Sequence, residues 1–327
     1  MFIARIITYI TLTIFTISCT SNRVTSKDSC EMTKASFDIG SGSTKMVVAD
    51  IDICKGEIIN ILFEASRAIP LKDHLLGNKN KFSKSFIYNS IDQIAELKKR
   101  AINKGATSFN AVATAAFRAA TNSNEFKSAL KQRLNLSVLV INQTTEALTA
   151  FKSAKSIVKK DNLLVWDIGG GSMQIIKSEN GKKNIYLGKL ASVTFKDEIM
   201  SLLEKKKTPN PLGKAGAILA MEKARRYAGE HAKEILGEIE DQYVIGVGGV
   251  HFYSIKNQTG TEDFYSQKDV LNTLIERSKL TDQEIGGEFA STEVTNLALV
   301  LGFMQALGIE RVYPIKINMA HGILLSH

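Results

Sequence analysis

The sequence predicts an α/β chain made of two related halves, each folding into a lobe, with a cleft between them. Three observations predict it. An apolar run ends in Asp-Ile-Gly and small hydroxylated residues twice, at 34–48 (KASFDIGSGSTKMVV) and at 163–175 (LLVWDIGGGSMQI). Alternating strand-like and helix-like segments follow each copy, as in layered α/β architectures. A third strand-like run, YVIGVGG at 243–249, again ends in glycines. The 327 residues suffice for two domains with their own cores. The spacing places a first lobe at 34–154 and a second at 155–327, whose last helical segment can return to the first lobe.

At the N-terminus one charge, Arg5, precedes an apolar run from Ile6 to Ile17, then Ser18-Cys19. The run is too short to span a bilayer as a helix and long enough for the core of an export signal. It resembles a bacterial lipoprotein signal, which implies cleavage before Cys19 and a lipid on its sulfur. Residues 1–19 are then signal and anchor, and 20–33 a polar tether. The expectation is an exported, periplasmic or cell-envelope lipoprotein held to a membrane by its lipid.

Two strands, 34–38 and 45–53, flank the turn GSGS, and a third fits 57–63. SKSFIYNSIDQIAELKKRAINKG has apolar residues at helical spacing and a glycine stop, which predicts a helix. FNAVAT predicts a strand. Asn122 or Ser123 can cap a helix running through Leu134. LSVLVI predicts a strand and TTEALTAFKSAKSIVKK a helix. Strands 163–167 and 173–177 repeat the first hairpin, and NIYLGKL adds a strand. A loop with Pro209 and Pro211 leads into a helix over 212–236, then the strand YVIGVGG. The remainder reads as helical, with one late strand at RVYPIKI.

Glycine lets a backbone turn tightly and aim several N–H groups at one point, a nest that suits phosphate oxygens. Ser41, Gly42, Ser43, Thr44 and Lys45 form one candidate cradle. Gly169, Gly170, Gly171 and Ser172 form a second, and Gly248-Gly249 a third. A carboxylate at the strand end repels phosphate directly but can hold a divalent cation beside it, so Asp38 and Asp167 are candidate metal ligands. Neither loop has the Gly-Lys-Ser/Thr ending of a P-loop. A plain tight hairpin explains either loop alone; the repetition favours phosphate.

Together the DIGSGS and DIGGGS loops and VIGVGG are similar to the actin, hexokinase and chaperone-ATPase superfamily, which implies two ribonuclease-H-like lobes around an interlobe cleft. Further segments resemble the exopolyphosphatase and guanosine pentaphosphate phosphohydrolase (Ppx/GppA) family: AVATAAFRAATN, VLVINQTTEALTAF and IPLKDHLLGNKNKFSKSFIYNSIDQI. The resemblance implies Mg²⁺-dependent hydrolysis of a terminal phosphoanhydride. It implies Glu146 as the group that activates water, at the start of a helix whose positive end favours a carboxylate, and Arg118 as a phosphate grip. From the residues alone, Glu146 reads as a first-turn carboxylate that stabilises its helix, and Arg118 as a surface ion pair. The sequence departs from the family pattern. Ser-Thr-Glu, whose carboxylate the resemblance places beside the cation, is replaced by Ser172-Met173-Gln174; Gly-Glu-Glu-Ala-Arg is replaced in Gln143-Thr144-Thr145-Glu146-Ala147-Leu148, with one acidic and one basic group missing; and Arg-Glu-Gly is replaced by Ala320-His321-Gly322.

The net charge of +9 suits an anionic ligand such as polyphosphate, or a solvated lysine-rich surface. No aromatic–basic interleaving points to nucleic acid, and no His or Cys spacing points to zinc. A homodimer stays open. Export leaves Cys30 and Cys54 in a compartment where disulfides persist once Cys19 carries a lipid. Pairing the two strands outward from their turn puts Cys30 opposite residue 53, one residue from Cys54, close enough for a bridge. Two functions follow: an exopolyphosphatase-like hydrolase, or a sensor that binds polyphosphate or nucleotide and turns over weakly or not at all, as Gln174, Leu148 and Ala320 suggest. An actin-like structural ATPase is disfavoured by the bulky His251-Phe252-Tyr253 after the third glycine pair.

Overall fold

The computed structural model describes residues 30–158 and 160–325. In the first lobe β1 (Glu31–Ile39), β2 (Ser43–Asp52) and β3 (Glu57–Ala68) form an antiparallel meander. Helices α1 (Leu71–Leu76) and α2 (Lys84–Asn103) lead to β4 (Ser108–Ala113), parallel to β1. Then α3 (Ala115–Ala119) and α4 (Ser123–Leu134) precede β5 (Val138–Val140), parallel to β4. The sheet order is β3-β2-β1-β4-β5. Helix α5 (Gln143–Ile157) crosses to the second lobe, where β6 (Leu163–Ile168), β7 (Met173–Glu179) and β8 (Lys182–Gly188) repeat the meander. After α6 (Ser192–Leu202), α7 (Gly213–His231) and α8 (Lys233–Leu236) comes β9 (Tyr243–Val247), parallel to β6. A π-helical stretch, Val250–Ile255, runs into α9 (Lys256–Thr259), β10 (Tyr265–Ser266), α10 (Gln267–Arg277), α11 (Asp282–Ile285) and α12 (Ala290–Leu307). Strand β11 (Arg311–Pro314) pairs parallel to β9, and α13 (Met319–Leu324) ends the described chain. The second sheet reads β10-β11-β9-β6-β7-β8, the first lobe's meander-then-crossover order with one strand added.

Local chemistry accounts for these elements. Ser83 caps α2 by accepting the Phe86 N–H, and Ile87, Ile91, Ile94, Leu97 and Ala101 bury one helical face against the first sheet. Each of the isoleucine and leucine side chains contributes roughly 1.5–3 kcal/mol of burial. In the second lobe α12 is buried nearly all round and crosses α7 on a stripe of alanines, Ala217, Ala220, Ala224 and Ala228. At that crossing Gly302 approaches Ala224 so closely that a Cβ would lie 2.6 Å from it.

Several expectations are corrected. Strand β1 starts at Glu31, inside the segment 20–33 assigned to a tether; the earlier residues, with the signal and Cys19, lie outside the described residues. Helix α5, assigned to the first lobe by a divide at 154–155, lays Ala147, Ala150, Phe151 and Ala154 on Leu163, Val165, Ile176 and Ile245 of the second sheet. Helix α13 does pack on the first lobe, where Ala320 and Leu324 join Val47, Ala49 and Ile51, and Ser36 Oγ donates to Ala320 O at 2.5 Å. The helix Ser192–Leu202 has no counterpart in the sequence reading.

Cys30 and Cys54 are disulfide-bonded, with Cα atoms 5.4 Å apart. The register is the reason: Glu31 opposes Asp52, and the Ile53 N–H donates to Cys30 O at 2.7 Å. Closing a loop of this size contributes about 3 kcal/mol in the chain-entropy model.

Candidate active site

The two glycine loops are one device built twice. Asp38 opposes Lys45 and Ile39 opposes Thr44; Asp167 opposes Gln174 and Ile168 opposes Met173. The Gly40 N–H donates to Ser43 O at 3.0 Å and the Gly169 N–H to Ser172 O at 2.9 Å. The loops meet across the cleft. A Cβ on Gly171 would lie 2.9 Å from Ser41 Oγ, and one on Gly170 would lie 3.5 Å from the Gly42 nitrogen. Loop carbonyls would repel phosphate, and here they are turned away. The N–H groups of Ser192, Val193 and Thr194, the uncapped start of α6, donate to Gly169 O and Gly170 O. The Lys72 and Ile69 N–H groups donate to Ser41 O and Gly42 O, both at 3.0 Å.

Three carboxylates gather at these loops, Asp38 and Glu146 buried and Asp167 part-buried. Asp38, at the end of β1, has Lys45 Nζ 3.9 Å away. Burial raises its pKa and Lys45 opposes the rise. Asp167, in the same place on β6, is pushed up to about 7 by burial; Lys45 opposes, and the charges of Asp38 and Glu146 add to the shift. Glu146 is 2% exposed in the first turn of α5, which Asn142 caps by accepting the Thr145 N–H at 2.8 Å. Arg118 Nη1 and Nη2 donate to its two oxygens at 2.9 and 3.3 Å, and Nη1 also donates to Ile141 O at 2.7 Å. Gln174 Nε2 donates to Glu146 Oε2 at 3.0 Å and to Ser172 Oγ at 3.2 Å. Burial raises the Glu146 pKa, Arg118 pulls it back, and Asp38 adds to the rise.

Asp38 and Asp167 thus carry more negative charge than Lys45 balances, and their donor atoms are hard oxygens. That fits a divalent cation of the Mg²⁺ type, which takes one or two carboxylates and completes its shell with water and substrate phosphate. Among the described residues, the one set of three His, Cys, Asp or Glu ligand atoms within 4.8 Å of one another is Cys30, Asp52 and Cys54, whose sulfurs are already joined. The loop carboxylates are therefore not a closed metal cage.

A pH dependence follows for the metal-free protein. The Asp167 pKa is higher folded, about 7, than its ordinary 3.8. Its contribution to stability is fully present below about pH 4 and is lost as pH rises through about 7. Asp167→Asn should then match the wild type near pH 4 and exceed it near pH 8 by on the order of 2 kcal/mol. Urea unfolding of both proteins in chelator reads this. A wild type that gains on the variant as pH rises would mean the carboxylate is already compensated.

Other expected site residues are placed differently. Thr44 is fully buried, and its hydroxyl has no hydrogen-bond partner among the described residues, so it does not line the open cradle; Gly42 and Ser43 are part-exposed there. Arg118, expected to grip phosphate, is bonded to Glu146 instead, because burial leaves that carboxylate needing donors. Gln174, standing where the resemblance expects a cation-side carboxylate, faces Glu146. Gly248 presses on Asp167: a Cβ there would lie 2.6 Å from Oδ1, and Gly249 opens the π-helical stretch. Leu148 is exposed on α5. His321 is buried with Nε2 2.9 Å from Glu64 Oε1, and His251 is a core residue with Nδ1 2.5 Å from the Tyr265 hydroxyl. Two residues were missed. Lys72 lies beside the second loop, its Cδ 3.5 Å from where a Gly171 Cβ would stand, and burial lowers its pKa. Gln143 Nε2 donates to Met173 O and Gly188 O, fixing the start of α5 on the second sheet. A glutamine at a helix start signalled the second; the first lies in the segment IPLKDHLL that carries the family resemblance, though nothing there singled out the lysine.

The model of the Ppx/GppA phosphatase family matches residues 47–198, a span with Arg118, Glu146, Asp167 and the second loop. A bifunctional 3-dehydroquinate synthase/phosphatase of Fusobacterium nucleatum is 27% identical over 270 residues, 77% of this chain. The chain spans 37% of that protein's length. Among solved structures, the Aquifex aeolicus PPX-GPPA enzyme superposes with a TM-score of 0.72 at 18% identity, covering 91% of this chain and 100% of its own. An exopolyphosphatase from Cytophaga hutchinsonii gives 0.72 at 15% identity, covering 89% and 96%. In sequence over residues 47–198, and in its two-lobed actin-like fold over nine-tenths of its length, this chain is similar to the Ppx/GppA phosphatases.

Proposed function

We propose that the protein hydrolyses the terminal phosphoanhydride of polyphosphate or a related polyphosphorylated compound. The observation that carries this reading is the meeting of Glu146, Asp38 and Asp167 beside two opposed glycine loops whose carbonyls are tied back. The loop N–H groups hold the terminal phosphoryl group. Asp38 and Asp167 would hold a divalent cation, which when bound supplies positive charge to the phosphoryl oxygens. Glu146 orients a water and takes its proton as the water oxygen bonds to phosphorus. The bridging P–O bond breaks, and the shortened chain leaves with the bonding electron pair. Arg118 has a second acceptor to turn to when phosphate enters, since its guanidinium is part-exposed. The positive net charge suits a polyanion. Attachment to a membrane through Cys19 is part of the proposal.

Phosphate release from polyphosphates of several lengths and from nucleotides, with and without Mg²⁺, tests the reading. Metal-dependent release from polyphosphate is expected. The second reading, a binding protein that turns over weakly or not at all, is favoured by Arg118 already occupying Glu146. Tight polyphosphate binding without release would select it.

A further inference from the structure

The structure assigns to Gln174 the role of a positioning residue that holds Glu146 for proton abstraction, an inference that rests on the hydrolase reading above. Both N–H bonds of its amide are used. One goes to Glu146 Oε2 at 3.0 Å and the other to Ser172 Oγ at 3.2 Å, so the side chain is a strut between the water-activating carboxylate and the second phosphate loop. All three residues are buried. The partners fix the amide's orientation, because its carbonyl turned toward a carboxylate would be repelled. The repeat sharpens the contrast. The position opposite the strand-end aspartate is Lys45 in the first lobe and Gln174 in the second. The lysine reaches back to Asp38, whereas the glutamine reaches across to Glu146. A glutamate at 174 would set a second carboxylate at hydrogen-bonding distance from Glu146, and two such groups cannot both stay ionised. Arg118 also holds Glu146, but phosphate would compete for that guanidinium. Gln174, which has no charge to offer phosphate, keeps its hold on Glu146 in the loaded site.

The test compares wild type, Gln174→Met, Gln174→Glu and Glu146→Gln with polyphosphate and Mg²⁺. Methionine keeps the length of glutamine and loses the donor. Gln174→Met should lower kcat by roughly 10–100-fold while KM and the half-saturating Mg²⁺ concentration stay within about twofold, the loss expected when a group acts only in the transition state. Gln174→Glu should also lower kcat. A kcat within about threefold of wild type in both Gln174 variants overturns the assignment, as does Gln174→Glu with intact kcat and tighter apparent Mg²⁺ binding, which would put residue 174 on the cation. If the wild type releases no phosphate, the hydrolase reading fails; if Glu146→Gln turns over normally, the protein is a hydrolase but Glu146 is not its base, and this inference fails alone. Heat unfolding reads the contact without turnover. Gln174→Met and Glu146→Met should be non-additive, with a coupling of roughly tenfold in the unfolding equilibrium constant, and strict additivity overturns the assignment.

Discussion

Glu146→Gln should lower turnover of polyphosphate by about 10²–10⁴-fold, the usual loss when a general base is removed. The amide has nearly the same shape as the carboxylate, and its carbonyl still accepts from Arg118 or Gln174, so α5 and its Asn142 cap should be unaffected. What is lost is the capacity to take a proton from water. The magnitude is large because Asp38 and Asp167 cannot substitute. Asp38 is engaged with Lys45, and Asp167 lies under Gly248. Arg118 is freed from an ion pair in the variant and is more available to phosphate, so KM should hold or fall. Phosphate release under saturating Mg²⁺ gives kcat, and calorimetry with a short polyphosphate gives binding. Turnover near wild type would remove Glu146 from the chemistry. Equal trace turnover in both proteins, with binding intact, would establish the binding-protein reading.

The hairpins and their chemistry were legible in the sequence because strand periodicity is 2 and the turns are short. Once GSGS and GGGS are taken as turns, the pairings of Asp38 with Lys45 and Asp167 with Gln174 follow, and so does Cys30 falling within one residue of Cys54. Contacts set by packing between distant elements were not legible. Arg118 and Glu146 are 28 residues apart on different helices, and only the folded cleft shows that the arginine serves the carboxylate. Helix α6 was invisible for a related reason. Its first turn holds Val193, Thr194 and Phe195, poor helix formers, and its N-cap is Ala191, which offers no side-chain acceptor. The missing acceptors are the carbonyls of Gly169 and Gly170, over 20 residues upstream in the chain. Helix α5 was placed with the wrong lobe because its alanines and Phe151 mark a buried face without saying which sheet buries it.

Gly248→Ala should cost about 3 kcal/mol of stability and raise the half-saturating Mg²⁺ concentration by roughly tenfold or more. Two effects add. The backbone at Gly248 has φ +83°, a conformation that costs an L-residue about 1–2 kcal/mol. The new Cβ would also stand 2.6 Å from Asp167 Oδ1, closer than any tolerated contact, and the neighbour is a part-buried carboxylate fixed at the end of β6. Moving the loop instead would strain the hydrogen bond from the Gly248 N–H to Ile317 O, 2.9 Å long, which joins the third glycine loop to the segment entering α13. Either response displaces Asp167 from its place beside Asp38. Gly249→Ala is the control. Its φ is −69°, and nothing lies within 4 Å of the added methyl, so stability and Mg²⁺ dependence should stay near wild type. Urea unfolding in chelator separates the structural cost from the metal effect, and Mg²⁺ titration of phosphate release reads the second. If Gly248→Ala is as stable and as responsive to Mg²⁺ as Gly249→Ala, the third loop does not set the position of Asp167, and the cation site must be drawn from other groups.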